Sequence, residues 1–297
     1  MPATYHPFDR NTLIHFRLIF SVFLFPVYLF GLSQTQDLNF FNTLIIFVAL
    51  HFFIYPASNL YNSYWDKDIG SIGGLKHPPP VTKKLYHASI WLDVSGILLV
   101  FIVHPLLGLF LLPYICASKV YSWPVIRLKK YPVIGWLTVI LFQGAYTFFL
   151  VNYFSTTDIT TEWWNEKNML AMTLSSLLIG AYYPLTQIYQ HEEDSKRGDF
   201  TISYKLGIKG TFIFTIVLFS LSIVLAYYYF TLYYAFTHFL TFTFCLLPAI
   251  LYFLWWFSLC VKNPQFADFK HAMRMTMISS ICLILAFSIL LLLNNRK

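Results

Sequence analysis

Asn62, Asp66 and Asp68 lie within NLYNSYWDKDIGSIGGLKHPPP, residues 59–80, and Gln190, Glu192, Glu193 and Asp194 lie within QIYQHEEDSKRGD, residues 187–199. Asn62 and Asp66 are four residues apart, as are Gln190 and Asp194, which on a helix puts each pair on one face about a turn apart. Such sets of oxygen donors suit a hard divalent cation such as magnesium. Both stretches follow long apolar runs, in a chain with only 13 Asp and Glu in 297 residues. Acids so placed at the ends of apolar helices call for a chemical reason.

The elements that must position them are membrane helices. The chain is 58% hydrophobic and 11% charged, too little charge to cover a soluble surface. Apolar runs long enough to cross a bilayer recur from end to end. The predicted spans are residues 13–32, 38–60, 88–103, 106–121, 132–153, 169–189, 211–229, 236–259 and 273–293. Residues 88–121 are nearly continuous, interrupted at His104-Pro105 and Pro113, and read as one long span they would leave eight crossings. Basic residues decide for nine. With the amino terminus in the cytoplasm, all of the 20 Lys and Arg except Lys167, Arg296 and Lys297 fall on the cytoplasmic side, as the positive-inside rule requires. The expected fold is therefore all-α: one polytopic domain over residues 1–297, integral to the membrane, with the polar stretches on cytoplasmic loops. In a bacterium that membrane is the plasma or inner membrane. No cleaved leader is read at the amino terminus, because the first apolar run is too long for one.

The polar stretches follow the second and the sixth span. That spacing suggests two pseudo-related four-helix halves plus a last helix, arranged around a central cavity. The net charge of +7 implies attraction to anionic lipid and to an anionic substrate at one face, not to nucleic acid. The four cysteines form no CxxC pair and read as packing residues. No histidines share a ligand spacing, which argues against zinc or haem. Asp93, inside the third span, admits two readings: a relay, or a partner for a charge on a neighbouring helix.

Residues 62–70, NSYWDKDIG, resemble the first motif, NDxxDxxxD, of the UbiA family of intramembrane prenyltransferases. Residues 190–198, QHEEDSKRG, resemble its second, DxEGDxxxG. Between them, YSWPVIRLK, residues 121–129, is similar to the YSxPPxRLK loop of the branch that alkylates homogentisate, chlorophyllide or glycerol-phosphate lipids. The resemblance implies a magnesium-dependent transfer of an isoprenoid chain from a prenyl diphosphate to a lipophilic acceptor. It makes Asp66 and Asp194 catalytic, with Asn62, Asp66, Asp68, Gln190, Glu192 and Asp194 as metal ligands. Tyr121, Arg127, Lys129, Lys196 and Arg197 would bind diphosphate. Three family carboxylates are replaced, by Ser63, Gly70 and Gln190. Those replacements keep two other readings open: a relative that binds prenyl lipid or a partner without turnover, and a carrier of a small solute or lipid.

Overall fold

The computed structural model describes residues 8–157, 159 and 161–294, so Arg296 and Lys297 lie outside the described residues. The helices, in chain order, are α1 (Arg10–Ile14), α2 (Leu18–Ser33), α3 (Phe40–Val48), α4 (Tyr55–Asp66), α5 (Lys83–Val100), α6 (Pro105–Ser122), α7 (Pro132–Val139), α8 (Thr147–Phe154), α9 (Glu166–Tyr182), α10 (His191–Arg197), α11 (Ile202–Tyr233), α12 (Phe236–Lys262) and α13 (Phe269–Asn294). Two π-helical turns, Ala49–Ile54 and Ile140–Tyr146, join α3 to α4 and α7 to α8 into single long segments.

Among the described residues, eight stretches are long and apolar enough to cross a membrane, including Phe40–Asp66, Pro132–Phe154 and Ile202–Tyr233. The protein is integral to the membrane. α5 and α6 are separate helices, broken by a turn at Phe101–His104, so residues 88–121 do not form one long span. α5 is as long as α6, with 18 residues each, but carries Lys83, Lys84 and Asp93 and is not among the eight. The sixth apolar run ends earlier than the hydropathy suggests. α9 stops at Tyr182, a 3-10 turn follows over Tyr183–Thr186, and α10 starts afresh at His191. Pro184 in that turn has no N–H to continue the ladder.

Two compact units organise the chain: Met1–Ser21 with Leu44–Leu128, and Val22–Thr43 with Lys129–Lys297. The division does not fall between two consecutive four-helix halves, because residues 22–43 group with the carboxy-terminal helices.

In the first unit α4 packs on α5 and α6. Ala57, Leu60, Leu85, Ala88 and Leu92 form a core closed by Phe16, Phe53 and Tyr64. α4 starts with Pro56 in its first turn, a position where a missing N–H costs nothing. It ends at Asp66, with Lys67 in the left-handed region at φ 50°.

The second unit is centred on aromatic rings. Phe30 stacks on Phe287 with centroids 4.7 Å apart and meets Phe148 at 5.1 Å. The π turn before α8 widens the backbone and frees polar groups that α9 satisfies. The Ser176 hydroxyl donates to the Ile140 carbonyl at 2.8 Å and accepts from the Ala145 N–H at 3.2 Å. Gly144 makes this approach possible, since a Cβ there would lie 2.7 Å from the Ser176 Cα. In α11 the helical path breaks at Gly207, φ 68° and ψ 177°, a conformation open to glycine alone.

Gly144→Ala forces backbone against backbone and should cost about 1–3 kcal/mol. It should lower the thermal unfolding midpoint in detergent, whereas Cys116→Ala, on the exposed side of α6, should leave the midpoint unchanged.

Candidate functional site

Each compact unit gathers one of the two polar stretches into a cluster of acids and bases. In the first unit the cluster is built on the last turns of α4. Asn59, Ser63 and Asp66 are buried, at 6%, 1% and 8% exposure, and Asn62 is half-buried. The chain turns left-handed at three non-glycine residues among those described, Arg17, Lys67 and Arg127, all basic and all in this cluster. Left-handed non-glycine residues carry strain that collects at functional sites.

Arg127 reaches its place through a tight loop after α6. Its N–H donates to the Trp123 carbonyl at 2.7 Å, Pro124 stiffens the turn, and the left-handed step at φ 48° closes it. The guanidinium then donates to Asp66 Oδ1 at 3.1 Å and to the Ser122 carbonyl at 3.4 Å. Asn62 donates to Ser122 Oγ at 2.9 Å and accepts from Arg17 at 3.5 Å. Arg17 also donates to the Asn59 carbonyl at 3.3 Å, while Asn59 Nδ2 donates to the Phe16 carbonyl at 3.0 Å. Asp68 follows the left-handed Lys67 outside the helix and is half-buried. Tyr121, half-buried, occupies the end of α6. Deeper in α5 and α6, Asp93 pairs with Lys119 at 2.6 Å, and the Lys119 ammonium lies 4.6 Å above the Tyr61 ring. Of the two sequence readings of Asp93, this is the interhelical partner.

The second cluster surrounds α10. The Asp194 N–H donates to the Gln190 carbonyl at 2.8 Å, so the four-residue spacing opens a helical turn. Gly198, left-handed at φ 75°, ends the helix. Its N–H donates to the Ser195 carbonyl at 3.1 Å and the Asp199 N–H to the Asp194 carbonyl at 2.9 Å, the paired bonds of a Schellman turn. That turn folds Asp199 back beside Asp194, both buried, at 1% and 6% exposure. Arg197 donates to Asp194 Oδ1 at 3.0 Å and lies 3.9 Å from Asp199, while Lys129, itself buried, lies 3.7 Å from Asp199. The carboxyl of Asp194 is pushed up to about 7: burial is the main cause, Lys129 and Arg197 oppose it, and Asp199 reinforces it. His191, lowered to about 4 by burial, is uncharged at neutral pH and bonds Ser203 Oγ at 2.8 Å, tying α10 to α11.

Glu192 and Lys196 take no part in the buried cluster. They pair with each other at 2.6 Å in the open, with side chains 85% and 71% exposed. Gln190 caps the start of α10, half-buried. The sequence motifs do not point to Arg17 or Ser122 as members of these clusters. Arg17 is remote in sequence, and Asp199 arrives only through the glycine turn that follows the motif.

Oxygen atoms are the acidic ligands on offer, and no group of three or more His, Cys, Asp or Glu converges among the described residues. Such a donor set suits magnesium, which takes one or two carboxylates and completes its shell with water and substrate phosphate.

The UbiA prenyltransferase family model matches residues 18–281. No curated protein matches. Among solved structures, a UbiA homologue from Archaeoglobus fulgidus bound to GPP and Mg2+ superposes with a TM-score of 0.67 at 16% identity, covering 94% of this chain and 99% of that one. The same homologue bound to DMAPP and Mg2+ gives 0.67 at 16%, covering 95% and 99%. A digeranylgeranylglyceryl phosphate synthase gives 0.60 at 16%, covering 97% and 99%.

Asp194 binds its proton more tightly folded than unfolded, so between pH 4 and 7 the native state holds the extra proton and stability falls as pH rises. Above about 7 that slope ends. His191, lowered to about 4, acts the other way below pH 6.5, so the difference is the readout: Asp194→Asn should gain denaturation midpoint relative to wild type as pH rises across this window. Gly198→Ala should cost about 1–2 kcal/mol through the left-handed backbone even though no atom lies within 4 Å of the new Cβ.

Proposed function

The chain belongs to the UbiA prenyltransferase family, and on that premise we propose that it transfers an isoprenoid chain from a prenyl diphosphate to a lipophilic acceptor, with release of diphosphate. One observation carries the reading: each polar motif ends in a buried aspartate held by an arginine, Asp66 by Arg127 and Asp194 by Arg197. Arginine forks fit carboxylate and phosphate equally well, so the same guanidinium can release its acid and take a phosphate oxygen. Arg127 and Lys129, one in each cluster, are separated by a single residue of sequence.

In the proposed reaction the bond between the allylic carbon and the bridging oxygen breaks, and diphosphate leaves with the electron pair. The allylic cation is captured by an electron-rich carbon or oxygen of the acceptor, which then loses a proton. Asn62, Asp66, Asp68, Asp194 and Asp199 would hold magnesium, which when bound neutralises charge on the leaving group. Arg127, Lys129 and Arg197 would donate charge-assisted hydrogen bonds to the phosphate oxygens, with Tyr121 at the edge of the site. Glu192 and Lys196, turned to solvent, are left out of the proposed machinery. Aromatic side chains such as Tyr61 and Trp65, beside Asn62 and Asp66, offer π faces to a cation. The positive-inside excess supports a cytoplasmic position for both clusters, with α5 proposed as a ninth crossing.

Membranes containing the protein should transfer label from radiolabelled prenyl diphosphates to one of a panel of phenolic, porphyrin and glycerol-phosphate acceptors, and a chelator should abolish transfer. Asp66→Ala and Asp194→Ala should each lower the rate on the order of 10²-fold or more, and Glu192→Gln should leave it nearly unchanged. Tight binding of the labelled chain without turnover under any acceptor, or turnover indifferent to chelator, would overturn the proposal.

A further inference from the structure

At the opposite end of α9 from the second motif, the second unit holds a polar cavity of about 320 Å³. α9 has 17 residues, so about 25 Å of helix separates the cavity from α10. Its inner wall is made of Gln34, Thr35, Asn152, Trp163 and Asn168, each 8% exposed or less. These side chains are locked before any ligand arrives. Asn152 Nδ2 donates to the Gly31 carbonyl at 2.9 Å and to Thr35 Oγ1 at 3.0 Å, and Asn152 Oδ1 accepts from Trp163 Nε1 at 2.7 Å. Asn168 Nδ2 donates to the Trp163 carbonyl at 2.7 Å. Gln34 donates to Ser33 Oγ and accepts from the Tyr229 hydroxyl, both at 2.7 Å.

The network leaves hydrogen-bonding capacity over. An amide has two N–H donors and two acceptor lone pairs. Gln34 has used one of each, and Asn168 has used one donor and no acceptor. At the rim the exposed Gln36 and Asp37 side chains bond nothing among the described residues. Among the described residues charge at the cavity is balanced, with one acid, Asp37, and one base, Lys167, whose ammonium lies 4.6 Å above the Tyr234 ring. A wall with both spare donors and spare acceptors, no net charge among the described residues and two aromatic rings, Tyr153 and Trp163, matches a neutral group whose every polar atom is both donor and acceptor. That description fits hydroxyls on a small carbon frame. The space, roughly that of ten waters, fits one sugar or polyol.

We propose that this cavity is a binding site for a neutral, hydroxyl-rich group, a monosaccharide or polyol. Trp164, 61% exposed beside it, is the kind of residue that sits at headgroup depth, so the group can come from a glycolipid headgroup or from a free sugar. The site is independent of prenyl transfer.

The experiment uses the full chain in a sugar-free zwitterionic detergent, with saturation-transfer NMR on methyl glucoside, glycerol and phosphocholine. In parallel, nanodiscs carrying a monoglucosyl lipid beside phosphatidylcholine are read by native mass spectrometry. Saturable methyl glucoside or glycerol binding, weakened about tenfold or more by the pair Gln36→Ala and Asp37→Asn at an unchanged unfolding midpoint, supports the proposal with a free source. Enrichment of the glucosyl lipid alone, abolished by the same pair, supports it with a lipid source. Trp163→Phe, which removes the N–H that orients Asn152, should weaken either signal. Absence of saturable binding in both arms, binding indifferent to the rim variants, or phosphocholine binding as well as the glucoside does overturns it.

Discussion

A carboxylate shut away from water must be given a cation, and among the described residues every buried acid obeys that constraint: Asp66 with Arg127, Asp93 with Lys119, Asp194 with Arg197, Asp199 with Lys129. Pairs of this kind add little net stability, because desolvation consumes much of the attraction, yet removing one partner leaves an uncompensated buried charge at a cost of about 3–5 kcal/mol. The pairing therefore dictates local architecture more than it strengthens it. The loop after α6 must bend through a left-handed Arg127 to deliver a guanidinium, and α10 must end in a glycine turn to bring its second acid back. The Asp93–Lys119 pair shows the same constraint without a ligand-like role: it joins α5 to α6 inside the first unit.

Much of this was readable from the chain itself. Apolar runs announce membrane helices whatever their packing, and His104-Pro105 marks the turn between α5 and α6 because proline cannot continue a helix from the residue before it. The four-residue spacing of Asn62 and Asp66 survives as one face of α4, and that of Gln190 and Asp194 as the first turn of α10. The family resemblance drawn from those residues agrees with the family match over residues 18–281.

What stayed hidden was the choice among neighbouring acids. Glu192 and Asp194 are two residues apart, so on any helix they face nearly opposite ways. Which one turns inward depends on where the helix begins. Because α9 stops at Tyr182 and α10 restarts after a 3-10 turn, hydropathy gave no phase to extrapolate. Asp199 depends on a reversal three-dimensional in nature, and Arg17 on a contact 42 residues away in sequence. The polar wall formed by Gln34, Asn152, Trp163 and Asn168 is illegible in the sequence for the same reason, its members being scattered among apolar runs.

The wide turn at Ala49–Ile54 has an effect beyond the hydrogen bonds it rearranges. An α-helix advances about 100° per residue, and a π turn amounts to one residue inserted into that spiral. The polar half of Phe40–Asp66 is therefore dialled round against its greasy half, and Asn59, Asn62 and Asp66 owe their azimuth to that slip. Trimming one residue from the turn would leave every motif letter intact while swinging the whole polar stripe about a quarter-circle away from Arg17 and Arg127.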